Sequence, residues 1–105
     1  MDKATINEII QYLRKLLVQG GLNVDSIALF GSALSGIIHE DSDIDLIIIS
    51  ADFINKDIFE RSKMTMKPEI ETLKKYKISM DILNLSPEEY ADSKVKMYYD
   101  SKIVA

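Results

Sequence analysis

Three aspartates and one glycine-serine pair are the residues of this chain whose types and spacing could do chemistry together. Gly31-Ser32 closes an apolar stretch, Asp43 and Asp45 open a second one after a gap of ten residues, and Asp81 sits between Met80 and Ile82 in a third. A glycine lets the backbone turn sharply after a strand and bare the amide groups that favour phosphate, and the Ser32 hydroxyl adds a further donor. Side chains two apart on an extended chain share a face about 6.6 Å apart, so Asp43 and Asp45 point the same way. Magnesium takes one or two carboxylates and completes its shell with phosphate oxygens, and a pair of ions roughly 3.5 to 4 Å apart can hold both attacking and leaving oxygens. Asp81 would supply the third acid if its strand lies beside the Asp43–Ile49 segment, and an aspartate in an apolar strand is costly without a partner. Taken singly, Gly-Ser reads as a turn and Asp-x-Asp as a solvated loop end. Together they point to transfer chemistry on a metal-bound nucleoside triphosphate.

The elements that must position these residues are legible in the apolar periodicity. Ile6, Ile9, Ile10, Leu13, Leu16 and Leu17 recur at helical spacing, with Thr5 and Glu8 in place for a capping box and Gly20-Gly21 to stop the helix. Val24 to Phe30 reads as a buried first strand, Ala33 to Ile38 as a short helix and His39 to Ser42 as a polar loop. Asp43 to Ile49 reads as a second strand, with Asp45, Ile47 and Ile49 on one face and Ile44, Leu46 and Ile48 on the other. Helical sequence runs from Phe53 to Tyr76, with a break expected near Pro68. A third strand is expected over Ile78 to Leu83, bounded by Asn84. Ser86-Pro87-Glu88-Glu89 is a helix start, with hydroxyl cap, proline in the first turn and glutamate at the third position. That last helix is expected to reach about Asp100, and Ile103-Val104 is either a short strand or coil. The order predicts an α/β (α+β) fold: a small mixed sheet of three to four strands flanked by helices.

With 105 residues the chain fits one domain spanning 1–105. Its 47% hydrophobic and 29% charged residues are a globular composition, and its longest apolar runs fall far short of the about 20 residues that cross a bilayer. No signal-peptide pattern opens the chain, so a cytoplasmic location is expected. The absence of cysteine rules out disulfides and thiolate metal sites. A net charge of -4 works against a long nucleic-acid backbone but accepts a small phosphorylated ligand carried with metal.

Residues 31 to 49, GSALSGIIHEDSDIDLIII, resemble the active-site signature of the DNA polymerase beta-like nucleotidyltransferase superfamily. Within it the chain is similar to the minimal nucleotidyltransferases, often the antitoxin partners of all-helical HEPN toxins. The pattern matches at Gly31, Ser32, Asp43 and Asp45, and the third carboxylate maps onto Asp81. The resemblance implies the nucleotidyltransferase fold, ATP as donor with two Mg2+ ions on the three aspartates, Gly31 and Ser32 on the phosphates, and transfer of AMP to a hydroxyl of a protein or small molecule. It also implies a small HEPN-type partner, with self-association left open. The chain departs from its relatives at Ala33, Leu34 and Ser35, where many carry arginines. Arg61, Lys63 and Lys67 are candidate replacements, each also readable as a solvated helix residue. The alternative is a catalytically weakened module that neutralises its partner by contact. His39 and Asp41 are weaker site candidates, and Tyr90, Tyr98 and Tyr99 could contribute to a partner surface.

Overall fold

In the computed structural model, which describes residues 2–31, 43–92 and 101–105, helix α1 (Lys3–Gln19) lays Ile6, Ile9, Ile10, Leu13 and Leu17 into the core. The helix does not begin at the Thr5–Glu8 box. The Asp2 carboxylate caps it instead, accepting the Thr5 N–H at 2.8 Å, and an ionised acid also suits the positive end of the helix dipole. Gly20 and Gly21 end it as expected, Gly21 at φ 98°.

Strands β1 (Ser26–Phe30), β2 (Ile44–Ile49), β3 (Met80–Leu85) and β4 (Ser101–Ile103) form one mixed sheet in the order β3-β2-β1-β4. β1 runs antiparallel to both β2 and β4, and β2 runs parallel to β3. A parallel pair needs a crossover, and helix α2 (Ile58–Tyr76) lies within it. β2 is buried on both sides, as an unbroken apolar run requires. Ile44, Leu46 and Ile48 face α1 and α2 together with Ile27 and Leu29, while Ile47, Ile49, Ala28 and Leu85 form a smaller cluster on the opposite face. Each fully buried aliphatic side chain stabilises by roughly 1.5 to 3 kcal/mol before entropy is counted, so most of the burial free energy lies on the helix side.

Three sequence expectations are corrected. Pro68 does not break α2, which runs unbroken from an Asp57–Glu60 capping box to Lys77 in the left-handed conformation. Thr65 and Thr72 are buried on either side of the proline and the Thr72 hydroxyl donates to the Pro68 carbonyl at 2.8 Å, so packing holds the helix through it. β3 occupies 80–85 and not 78–83, because Asn84, read as a boundary, donates its side-chain amide to Thr65 Oγ1 and remains in the strand. Helix α3 (Pro87–Ala91) starts on the Ser86–Glu89 box as expected but is closed at Asp92 and does not run on as one helix, while 93–100, with Tyr98 and Tyr99, lie outside the described residues. The expected helix at 33–38 and the 39–42 loop lie outside the described residues.

Candidate functional site

Register decides which acids meet. Asp45 on β2 is directly opposite Asp81 on β3 and, on its other side, Phe30 at the end of β1. Opposite residues on neighbouring strands share a face and strands lie about 4.8 Å apart, so the two carboxylates emerge side by side. Asp43 lies one residue before β2 and, like Asp81, is exposed, whereas Asp45 is half-buried. Burial, followed by the charges of Asp81 and Asp43, pushes the Asp45 carboxyl above the ordinary aspartate range. That dependence on both neighbours makes the three acids one electrostatic group.

Gly31 presses against this group from β1. Its φ of 69° lies where side chains are disfavoured, and a Cβ built there would collide with the Asp45 carboxyl, 3.0 Å from Cγ. The sequence pointed to a turn at this glycine but not to its packing on Asp45, for which only the strand register gives a signal. Ser32, His39 and Asp41 lie outside the described residues.

The replacement cations are not where the sequence allowed them to be. The Arg61 guanidinium binds the Glu89 carboxylate at 2.7 Å, the Asn84 carbonyl at 3.0 Å and the Lys56 carbonyl at 2.9 Å, and lies over the Phe53 ring. It ties α2 to β3 and α3. Lys63 and Lys67 line a groove with Leu16, Gly20 and Pro68, in the helix layer on the face of the sheet opposite the aspartates. None of the three therefore stands beside the acids.

The donor set is oxygen only and anionic, which suits magnesium. Among the described residues, no three acids converge closely enough as placed to share one ion. Magnesium does not require such a cage, since one or two carboxylates and phosphate or water oxygens satisfy it. The side-by-side acids and the turn held against them fit that demand.

Residues 7–105 match the family described as Polymerase beta, Nucleotidyltransferase. The chain belongs to this nucleotidyltransferase family. A search of curated proteins finds no match. Among solved structures, an inferred nucleotidyltransferase from Sulfolobus solfataricus is similar at 19% identity and a TM-score of 0.62, over 98% of this chain and 87% of that one. A toxin-antitoxin structure with AMP-PNP is similar at 23% identity and a TM-score of 0.60, over 89% of this chain and 69% of that one. BolA1 from Arabidopsis thaliana is similar at 15% identity and a TM-score of 0.53, over 75% of this chain and 92% of that one. These likenesses concern the fold, and the BolA1 one marks how widely such an arrangement of helices and strands is used. No described helix of this nucleotidyltransferase-family protein is long and apolar enough to cross a membrane.

Proposed function

We propose that the protein transfers a nucleoside monophosphate, AMP from ATP, to a hydroxyl on a partner protein, acting as the antitoxin half of a pair with a small all-helical HEPN-type toxin. The observation that carries this reading is the pairing of Asp45 with Asp81 on one face, with Gly31 packed against Asp45. Asp43 and Asp45 would hold magnesium with Asp81 beside them, and the bound metal would neutralise the triphosphate and favour ionisation of the acceptor hydroxyl. Ser32 and the amides following Gly31 would orient the outer phosphates. The acceptor oxygen then bonds to the α-phosphorus as the bond to pyrophosphate breaks, and the hydroxyl proton leaves to solvent or a neighbouring carboxylate. Such transfer is mostly positioning and charge neutralisation, which a small rigid sheet end can provide. Family membership supports the chemistry, and the likeness to a toxin-antitoxin structure with AMP-PNP motivates the partner.

A second reading has its own support. The stretch after Gly31-Ser32 lacks arginine, and Arg61 is committed to Glu89, so the triphosphate loses cations that relatives have. The chain would then be a contact antitoxin with residual nucleotide binding.

Thermal melts and intact-mass measurement separate the two. Mg2+ with ATP should raise the melting temperature of the native protein by mass action and leave Asp43→Asn/Asp45→Asn unmoved, and the co-purified partner should gain the mass of AMP. Equal shifts in both proteins would remove the site. An unchanged partner mass with tight binding that survives the double substitution favours the contact antitoxin.

A further inference from the structure

Besides Asp81 and the Arg61 contacts, the outer strand and the helix beside it carry exposed apolar side chains that the acid group does not use. On α2, Phe59, Met66 and Leu73 recur every seven residues with Ile70 between the last two, and they are 75%, 49%, 43% and 43% exposed. Ile70 and Leu73 at the end of this stripe lie beside Met80 and Ile82 of β3, which is the edge strand of the sheet among the described residues. Ile82 stands at its middle, lining one groove with Ile58 and Lys56 towards the start of α2 and another with Ile70 and Glu69 towards its end.

The backbone of that edge is also only partly covered. Leu85 turns its carbonyl inwards, to the Ser50 N–H, whereas the Asn84 carbonyl faces outwards and is capped by Arg61. By the period of two along a strand, Ile82 and Met80 share the outward side with Asn84. Neither lysine nor proline guards the strand, whose sequence is Met-Asp-Ile-Leu-Asn-Leu.

We propose that this surface binds a second copy of the chain, β3 pairing antiparallel with its counterpart about a two-fold axis at Ile82 while the two α2 stripes pack against each other. Self-complementarity argues for a copy over an unrelated partner. A two-fold axis exchanges the ends of the surface, which brings the Glu69 end of one protomer against the Lys56 end of the other. Among the described residues Glu69 has no cation in ion-pair range, and its carboxylate accepts from the Thr65 hydroxyl at 3.1 Å. An axis at Ile82 joins outward-facing residue to outward-facing residue and sets Asp81 opposite Leu83 of the copy. An axis at Asp81 would oppose two like charges. The resulting eight-stranded sheet keeps both acid groups on one face. The inference is independent of the nucleotidyl-transfer reading.

Sedimentation of the purified full chain tests it, together with single-cysteine crosslinking in a protein that has no cysteine of its own. The expected results are a mass twice that of one chain, reduced to one chain by Met66→Glu with unchanged circular dichroism. Hydrogen-bonded antiparallel partners lie about 5.5 Å apart, within disulfide reach, so Ile82→Cys should crosslink under mild oxidation while Lys102→Cys on the opposite edge does not. A native protein that stays monomeric at all concentrations overturns the proposal, as does a dimer that survives Met66→Glu and crosslinks through Lys102→Cys. A monomer that binds another protein through the Met66 stripe also overturns it.

Discussion

At the scale of single residues, Gly31 and Asp45 form one unit. Gly31→Ala places a side chain at a φ of 69° and into the Asp45 carboxyl, so both the turn and the acid must move. A non-glycine residue held in such a region costs of order 1 to 3 kcal/mol, and that loss should appear in urea unfolding together with loss of the Mg2+-ATP melting shift. A variant as stable as the native protein that still responds to nucleotide would show the contact to be incidental. Asp45→Asn should act in the opposite sense on stability. The folded protein holds the Asp45 carboxyl above its ordinary range, first through burial and then through Asp81 and Asp43, so at neutral pH the ionised form weakens the apo fold. Lowering the pH through the raised folded value protonates the group and relieves the penalty. The amide variant should therefore melt higher than the native protein at pH 7, with the difference shrinking as the pH falls towards the ordinary aspartate range of about 3.9. A constant difference across that window would locate the effect elsewhere. Asp43 and Asp45 were legible in the sequence because parity along a strand fixes faces, and Asp81 because a carboxylate in an apolar strand is costly without a partner. Their meeting was conditional on which strands are neighbours, and that is set by the whole sheet.

At the scale of elements, Arg61 does what no local pattern announced. Its spacing on α2 is that of a solvated residue, yet its guanidinium joins Glu89, the Asn84 carbonyl and the Lys56 carbonyl across three elements. Burial alone would push the Glu89 carboxyl up, but the Ser86 N–H and then Arg61 outweigh it and hold the group below the ordinary glutamate range. A depressed folded value means stability present above the unfolded value of about 4.3 and lost as acid protonates the group below it. Arg61→Ala should cost about 1.5 to 3 kcal/mol at neutral pH, the range for hydrogen bonds to charged groups, and flatten that acid limb of the stability curve. Arg61→Lys should recover little, since a single ammonium cannot replace the fork. Chemical denaturation across the acid range measures both effects, and an unchanged limb in the alanine variant would deny the strap its role. The features read correctly were those with local causes: α1 from its apolar spacing, β2 from its unbroken run, the start of α3 from the Ser86 box. Those misread, β3 by two residues and α2 at Pro68, were decided by contacts between α2 and β3. A threonine or asparagine gives no sign in sequence that it will be paired across a crossover.

At the scale of the molecule, the sheet divides its labour between faces. Its helix side carries the large core with α1 and α2, while the other side carries a smaller cluster and the acids at one end. A fold so arranged can tolerate three neighbouring negative charges because its main source of burial energy lies behind them. It must also close the free side of β1, whose Ile27, Leu29 and Phe30 would otherwise form a bare apolar edge. The final residues do this. The Ile27 N–H donates to the Ala105 carbonyl at 2.8 Å, the Val104 N–H returns to the Ile27 carbonyl at 2.9 Å, and Val104 and Ala105 pack on the core. Ser101 also meets the Tyr90 hydroxyl at 2.8 Å, linking α3 to the same strand. With each backbone bond contributing about 1 kcal/mol net, and the half-buried Val104 about 1, removal of residues 101–105 should cost about 3 to 5 kcal/mol. That is a large part of the 5 to 15 kcal/mol typical of a domain, so the shortened chain should unfold at much lower urea and aggregate through exposed β1. A truncated protein with the native urea midpoint would place the closing of the sheet elsewhere. One that is destabilised yet regains its midpoint when a peptide of residues 101–105 is added would show that the missing strand itself, and not a strained new terminus, accounts for the loss.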